Sequence, residues 1–114
     1  MTDVENLKQT SLHDMSVNSL NIDFEHRELT ILLAVYNEVS QSYDELKLEF
    51  QGIDNLNLNP MSLTADGFNA LEIYTHTVTQ TIEELAIEFQ LLTGRDQSGA
   101  IWSFSFERVR LVTN

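Results

Sequence analysis

Residues 101–107 read Ile101-Trp102-Ser103-Phe104-Ser105-Phe106-Glu107, with a large aromatic side chain at every second position and serine between. A strand has a side-chain period of two and places Trp102, Phe104 and Phe106 on one face, whereas the 3.6-residue period of a helix would scatter them. The stretch therefore predicts an aromatic-faced β-sheet. Immediately before it, residues 81–92 admit two readings. Ile82, Leu85, Ala86 and Phe89 have helical spacing, with Thr81 and Glu84 as a capping box and Gly94 as a C-cap. Leu85, Ile87, Phe89 and Leu91 alternate equally well. The strand is favoured because it gives the aromatic face an apolar neighbour in a long hairpin. Beyond Phe106 the apolar positions shift to Val109 and Leu111, which predicts a bulge near Glu107-Arg108.

Upstream the alternation continues. Leu20, Ile22 and Phe24 alternate with Asn21 and Asp23, and the polar run Glu25-His26-Arg27-Glu28 reads as a turn. Residues 29–36 are apolar on both faces: Leu29, Ile31, Leu33 and Val35 on one, Leu32, Ala34 and Tyr36 on the other. That is the pattern of a central strand covered on both sides by the N-terminal helix, a second sheet or another subunit. Leu46, Leu48 and Phe50 point inward while Glu45, Lys47 and Glu49 point outward. Leu56 and Leu58 alternate with asparagines until Pro60 stops the ladder, as in a short edge strand. Residues 61–69 read as a connection or single helical turn, and Leu71 to Val78 resumes as a strand with imperfect alternation. Residues 1–15 form a short helix, capped by Thr2 and Glu5, or a flexible segment. Residues 16–114 then make a single antiparallel β domain. The expected fold is mainly β, an antiparallel meander sheet or small sandwich with at most one or two short helices; an α+β arrangement is the alternative.

Composition narrows the function. With 114 residues the chain fits one core, and its 42% hydrophobic and 21% charged residues are those of a globular protein. It has no cysteine, so disulfides, thiolate metal sites and a cysteine nucleophile are excluded. The acidic start, Met1-Thr2-Asp3-Val4-Glu5-Asn6, lacks the basic and apolar regions of a secretory signal. No stretch approaches the ~18 apolar residues of a membrane span. A cytoplasmic location is expected. Eighteen acidic against six basic residues give a net charge of −12, so contact with a nucleic-acid backbone or an anionic membrane is repulsive. The same charge suits a basic protein partner.

Motifs of catalysis or metal binding are weak. His13, His26 and His76 are far apart, and in a strand adjacent His13 and Asp14 would point to opposite faces. Asn55, Asn57, Asn59 and Asp66 resemble calcium-loop spacing superficially, but asparagine stands first and Pro60 occupies the turn glycine's place. There is no Gly-x-Ser-x-Gly elbow, His-Glu-x-x-His pair, phosphate loop or dinucleotide fingerprint. No enzyme activity, metal or cofactor is expected. The loop Gly94-Arg95-Asp96-Gln97-Ser98-Gly99 gathers a cation, an anion, an amide and a hydroxyl at a hairpin tip. Its composition also satisfies plain turn chemistry. Arg95, Asp96, Gln97 and Trp102, the aromatic nearest that loop, are the expected binding residues.

The early His13-Asp14 pair, the strand meander and the closing Trp102-x-Phe104-x-Phe106-Glu107-x-Val109 strand loosely resemble small bacterial proteins of uncharacterised families. In size and acidity some of these are similar to immunity proteins of polymorphic toxin systems, which neutralise a basic nuclease or other effector by covering it. The resemblance implies a non-catalytic protein-binding module and assigns no functional residue. A small-ligand or carbohydrate-binding β-module, using Trp102 and the Arg95 loop, is the first alternative. A structural homo-oligomer joined through Leu32, Ala34 and Tyr36 is the second.

Overall fold

A computed structural model describes residues 2–59, 71–93 and 98–113. Among these residues one short helix, α1 (Asp3–Gln9), precedes eight antiparallel strands: β1 (Ser16–Asp23), β2 (Glu28–Asn37), β3 (Ser42–Gln51), β4 (Asp54–Leu58), β5 (Leu71–Gln80), β6 (Leu85–Thr93), β7 (Ser98–Phe106) and β8 (Arg108–Thr113). They form one sheet in the order β4-β7-β6-β5-β1-β2-β3-β8. The mainly β, antiparallel expectation is met, and residues 81–92 follow the strand reading. The capping-box pair does a different job: Thr81 Oγ1 accepts from the Glu84 N–H at 3.0 Å, and the Thr81 N–H donates to the Glu84 carbonyl at 2.8 Å, closing the β5–β6 turn.

The sheet folds over on itself in two leaves. Leaf one holds β1, β2, β3 and β8; leaf two holds β4, β7, β6 and β5. Two stretches of chain run through both. β3 pairs with β8 from Leu46↔Thr113 to Gln51↔Arg108, and β4 then pairs with β7 from Asp54↔Ser105 to Leu58↔Trp102. The ladder thus continues around a hinge made of Gly52-Ile53 on one side and Glu107 on the other, where the bulge was expected. The Glu107 N–H donates to the Gln51 carbonyl at 2.9 Å across it. Gly52 has φ +69°, a conformation that costs an L side chain about 1–2 kcal/mol, and the Glu107 side chain occupies the space where a Cβ would stand.

Inward residues of both leaves meet in one core. Phe50 of leaf one lies edge-on to Phe104 and Phe106 of leaf two, at centroid distances of 4.9 and 5.1 Å, and to Phe89 at 6.5 Å. Burying each such side chain contributes roughly 1.5–3 kcal/mol. The opposite corner is held differently. There β1 and β5 share only the Ser16↔Glu72 pair, extended by hydrogen bonds of 2.9 Å from the Asp14 N–H to the Ile73 carbonyl and from the Ile73 N–H to the Met15 carbonyl. The N-terminal segment reinforces this seam. α1 is capped as expected, the Glu5 N–H donating to Thr2 Oγ1 at 3.2 Å, and it packs against β5 and β8 with Leu7 fully buried. His76 Nε2 donates to the Leu7 carbonyl at 2.8 Å, and His13 Nδ1 to the Tyr74 carbonyl at 2.6 Å.

Three local expectations change. The imperfect alternation of β5 is a bulge between Ile73 and Thr75 that turns Tyr74 to the surface. Phe24 does not continue the apolar face of β1. The Asp23 carboxylate accepts from the His26 N–H at 3.1 Å and pairs with its ring at 2.8 Å, so the turn begins at Phe24 and leaves it 78% exposed. The second face of β2 is graded: Ala34 is buried, Leu32 half-buried and Tyr36 exposed. Residues 61–69 lie outside the described residues. Among the described residues no helix is long and apolar enough to cross a membrane.

Candidate functional site

The hinge shapes the surface around it. Arg27, at φ +55°, ends the β1–β2 turn, and its carbonyl accepts from the Ile53 N–H at 3.0 Å. Its guanidinium turns back, Nε donating to the Ile53 carbonyl at 3.0 Å and Nη2 to the Gly52 carbonyl at 3.3 Å. The turn is thereby clamped to the hinge. Between this clamp and the β5–β6 turn opens a cleft of about 480 Å³, lined among others by Asp54, Glu83, Glu84 and Glu107. Four carboxylates and one guanidinium line it, and the guanidinium's Nε and Nη2 donate to the hinge carbonyls. Ile82, fully exposed at the tip of the β5–β6 turn, stands at the rim.

The cleft runs into a smaller trough of about 330 Å³ on the outer face of leaf two, sharing Asn55, Glu84 and Ser105 with it. Sheet register explains the trough. Thr79, Ala86, Ser105 and Asp54 form one cross-strand row, and Thr77, Glu88, Ser103 and Asn57 the next. These are mostly short side chains, so the face is low along its middle. Ser105 is itself buried and donates from Oγ to the Asp54 carbonyl at 3.2 Å.

Charge is divided unequally between the two outer faces. Leaf two presents Asp54, Glu72 and Glu88, with Glu84 in its β5–β6 turn, and no lysine or arginine among its described residues. The bases lie elsewhere: Lys47, Arg108 and Arg110 on leaf one, Lys8 on α1 beside Gln80 at 3.0 Å, and Arg27 in the clamp. Arg110 is already paired with Glu49 at 2.7 and 2.9 Å. The other titrating pair is local. The hydrogen bond between the Asp23 carboxylate and the His26 ring holds the carboxyl below its ordinary value of 3.8 and raises the imidazole above 6.5. Its effect is to fix the turn that carries Arg27.

The expected binding residues are not brought together here. Arg95, Asp96 and Gln97 lie outside the described residues. Trp102 is corrected from surface contact to core: strand alternation turns it inward with Phe104 and Phe106, and it is 1% exposed. Its indole N–H has no acceptor among the described residues. The trough residues Thr77, Thr79, Ala86, Ser103 and Ser105 form no sequence motif. Their one signal was shortness at outward strand positions, including the serines that space the aromatic run. His13 Nε2 lies 3.4 Å from Asp14 Oδ1, both exposed, and no three histidine or carboxylate side chains converge as a metal site among the described residues. No protein-family model matches the chain, and no curated protein or solved structure shows significant similarity to it.

Proposed function

We propose that this chain is a non-catalytic protein-binding module that engages a basic partner through the hinge cleft and the adjoining face of leaf two. The observation that carries the reading is the segregation of charge. A trough floored by short hydroxyl, amide and methyl groups, edged by carboxylates and free of bases among its described residues, admits long cationic side chains at little steric cost. Its field accelerates encounter with a positively charged surface, while apolar rim contacts such as Ile82 lengthen the complex's life. This is the mode an immunity-like protein uses to cover a cationic effector. A cysteine-free chain suits the reducing cytoplasm, where we place it. The carbohydrate alternative loses support because its stacking ring, Trp102, lies in the core.

The test is capture of the tagged chain's partner from native lysate at low and moderate salt, followed by association kinetics with the recovered protein. The Glu84→Lys/Glu88→Lys variant is expected to slow association about tenfold or more, and added salt to slow the unmodified chain. An association rate indifferent to both changes overturns the proposal.

A further inference from the structure

The β2–β3 hairpin ends in a surface of different chemistry. Tyr36 and Tyr43 are directly opposed partners on the outer face of leaf one, 51% and 66% exposed. Their ring centroids lie 5.3 Å apart with planes at 65°, so the edge of one ring meets the face of the other and further ring face remains open to solvent. The mount is firm: Asn37 Nδ2 donates to Asp44 Oδ2 at 2.9 Å, and Asn37 Oδ1 accepts from the Val39 N–H at 2.9 Å and the Ser40 N–H at 3.3 Å. Residues 36–45 carry Glu38, Asp44 and Glu45 and no base; the next base, Lys47, stands on the same strand face two residues beyond Glu45, on the side away from Tyr43. Glu45 lies two residues from Tyr43 on the same strand face, about 7 Å along the chain. It forms no ion pair among the described residues.

We propose that this hairpin tip docks an arginine-bearing segment of a protein, the guanidinium lying on an open tyrosine face while it pairs with Glu45. A planar, weakly hydrated guanidinium combines stacking with bidentate pairing to a carboxylate, which the compact ammonium of lysine does not. The surface is separate from the hinge cleft. Glu28↔Gln51 adjoins the hinge and Asn37↔Ser42 ends the hairpin, nine residues and about 30 Å further on.

The experiment titrates the full chain with capped tetra-arginine and, separately, capped tetra-lysine. The ring resonances of Tyr36 and Tyr43 and the amides of Glu83 and Glu84 are followed by NMR. The expected result is saturable movement of the tyrosine signals, about threefold tighter for arginine. Tyr43→Leu is expected to abolish that preference, and Tyr43→Phe, which keeps the ring, to retain it. Tyrosine signals that stay still while the hinge amides move overturn the tip and leave the hinge reading standing. Equal response to both peptides reduces the effect to bulk charge and overturns it too. Movement of the tyrosines on raising protein concentration alone assigns the face to a second copy, with the same consequence.

Discussion

The two corners of the folded sheet are built in opposite ways. At the hinge, backbone continuity does the work: β3–β4 and β7–β8 cross together, and their ladder keeps its pairing through Gly52 and Glu107. At the seam, β1 and β5 meet at one residue pair, and the closure comes from an attached segment, α1 and the turn after it, tied by two histidine-to-carbonyl hydrogen bonds. Hinge opening would require breaking an internal ladder shared by both leaves. Seam opening requires only that the N-terminal segment withdraw two leucines, Leu7 of α1 and Leu12 after it, from the core. The protein's local stability is therefore expected to be graded from hinge to seam.

The largest test of that grading is Phe50→Ala, which removes the ring joining the two leaves and should cost about 3–5 kcal/mol in a urea unfolding experiment. A loss below 1 kcal/mol would mean that the leaves do not depend on this contact. Next, Leu7→Ala should cost about 2–5 kcal/mol. It should do so selectively, with the Ile73 and Asp14 amides losing hydrogen-exchange protection before that of Glu107. Simultaneous loss at both corners would erase the distinction between them. Gly52→Ala is expected to cost about 1–2 kcal/mol from its left-handed backbone, plus the collision with Glu107. Adding Glu107→Ala should return only the second part, and full recovery would show that backbone conformation is not limiting.

The smallest effect is a pH dependence in the turn that carries the Arg27 clamp. His26 has a raised pKa, so its contribution is complete below 6.5 and lost as pH rises through the raised value. Asp23 has a lowered pKa, so its contribution is complete above 3.8 and lost as pH falls through the lowered value. The pair therefore stabilises the fold most between those two pH values. Asp23→Asn should lower the thermal midpoint within that window and converge with the unmodified chain on either side; a difference independent of pH would remove the pair from the account.

Much of this architecture was legible because strand alternation is a local signal. Leu46, Leu48 and Phe50, and Trp102, Phe104 and Phe106, turn inward as their spacing predicts, and the phase change after Phe106 marks the hinge. What could not be read is non-local. Gly52 looked like ordinary punctuation, since nothing near it in the chain announces that it faces Glu107. For Trp102 two local signals conflict: its nearness to a polar loop suggests surface contact, whereas its parity with Phe104 and Phe106 suggests the core, where it lies. The trough was hidden because short outward side chains on three strands acquire meaning only once register lines them up.

The buried position of Trp102 has an optical consequence. It is the chain's only tryptophan, so the red-shifted intrinsic emission that marks a water-exposed indole should be absent from the folded protein and appear only when the aromatic core opens. The molecule thus carries a built-in gauge of its own packing. Because that gauge sits behind the sheet, a partner on the outer faces can bind while the emission stays constant.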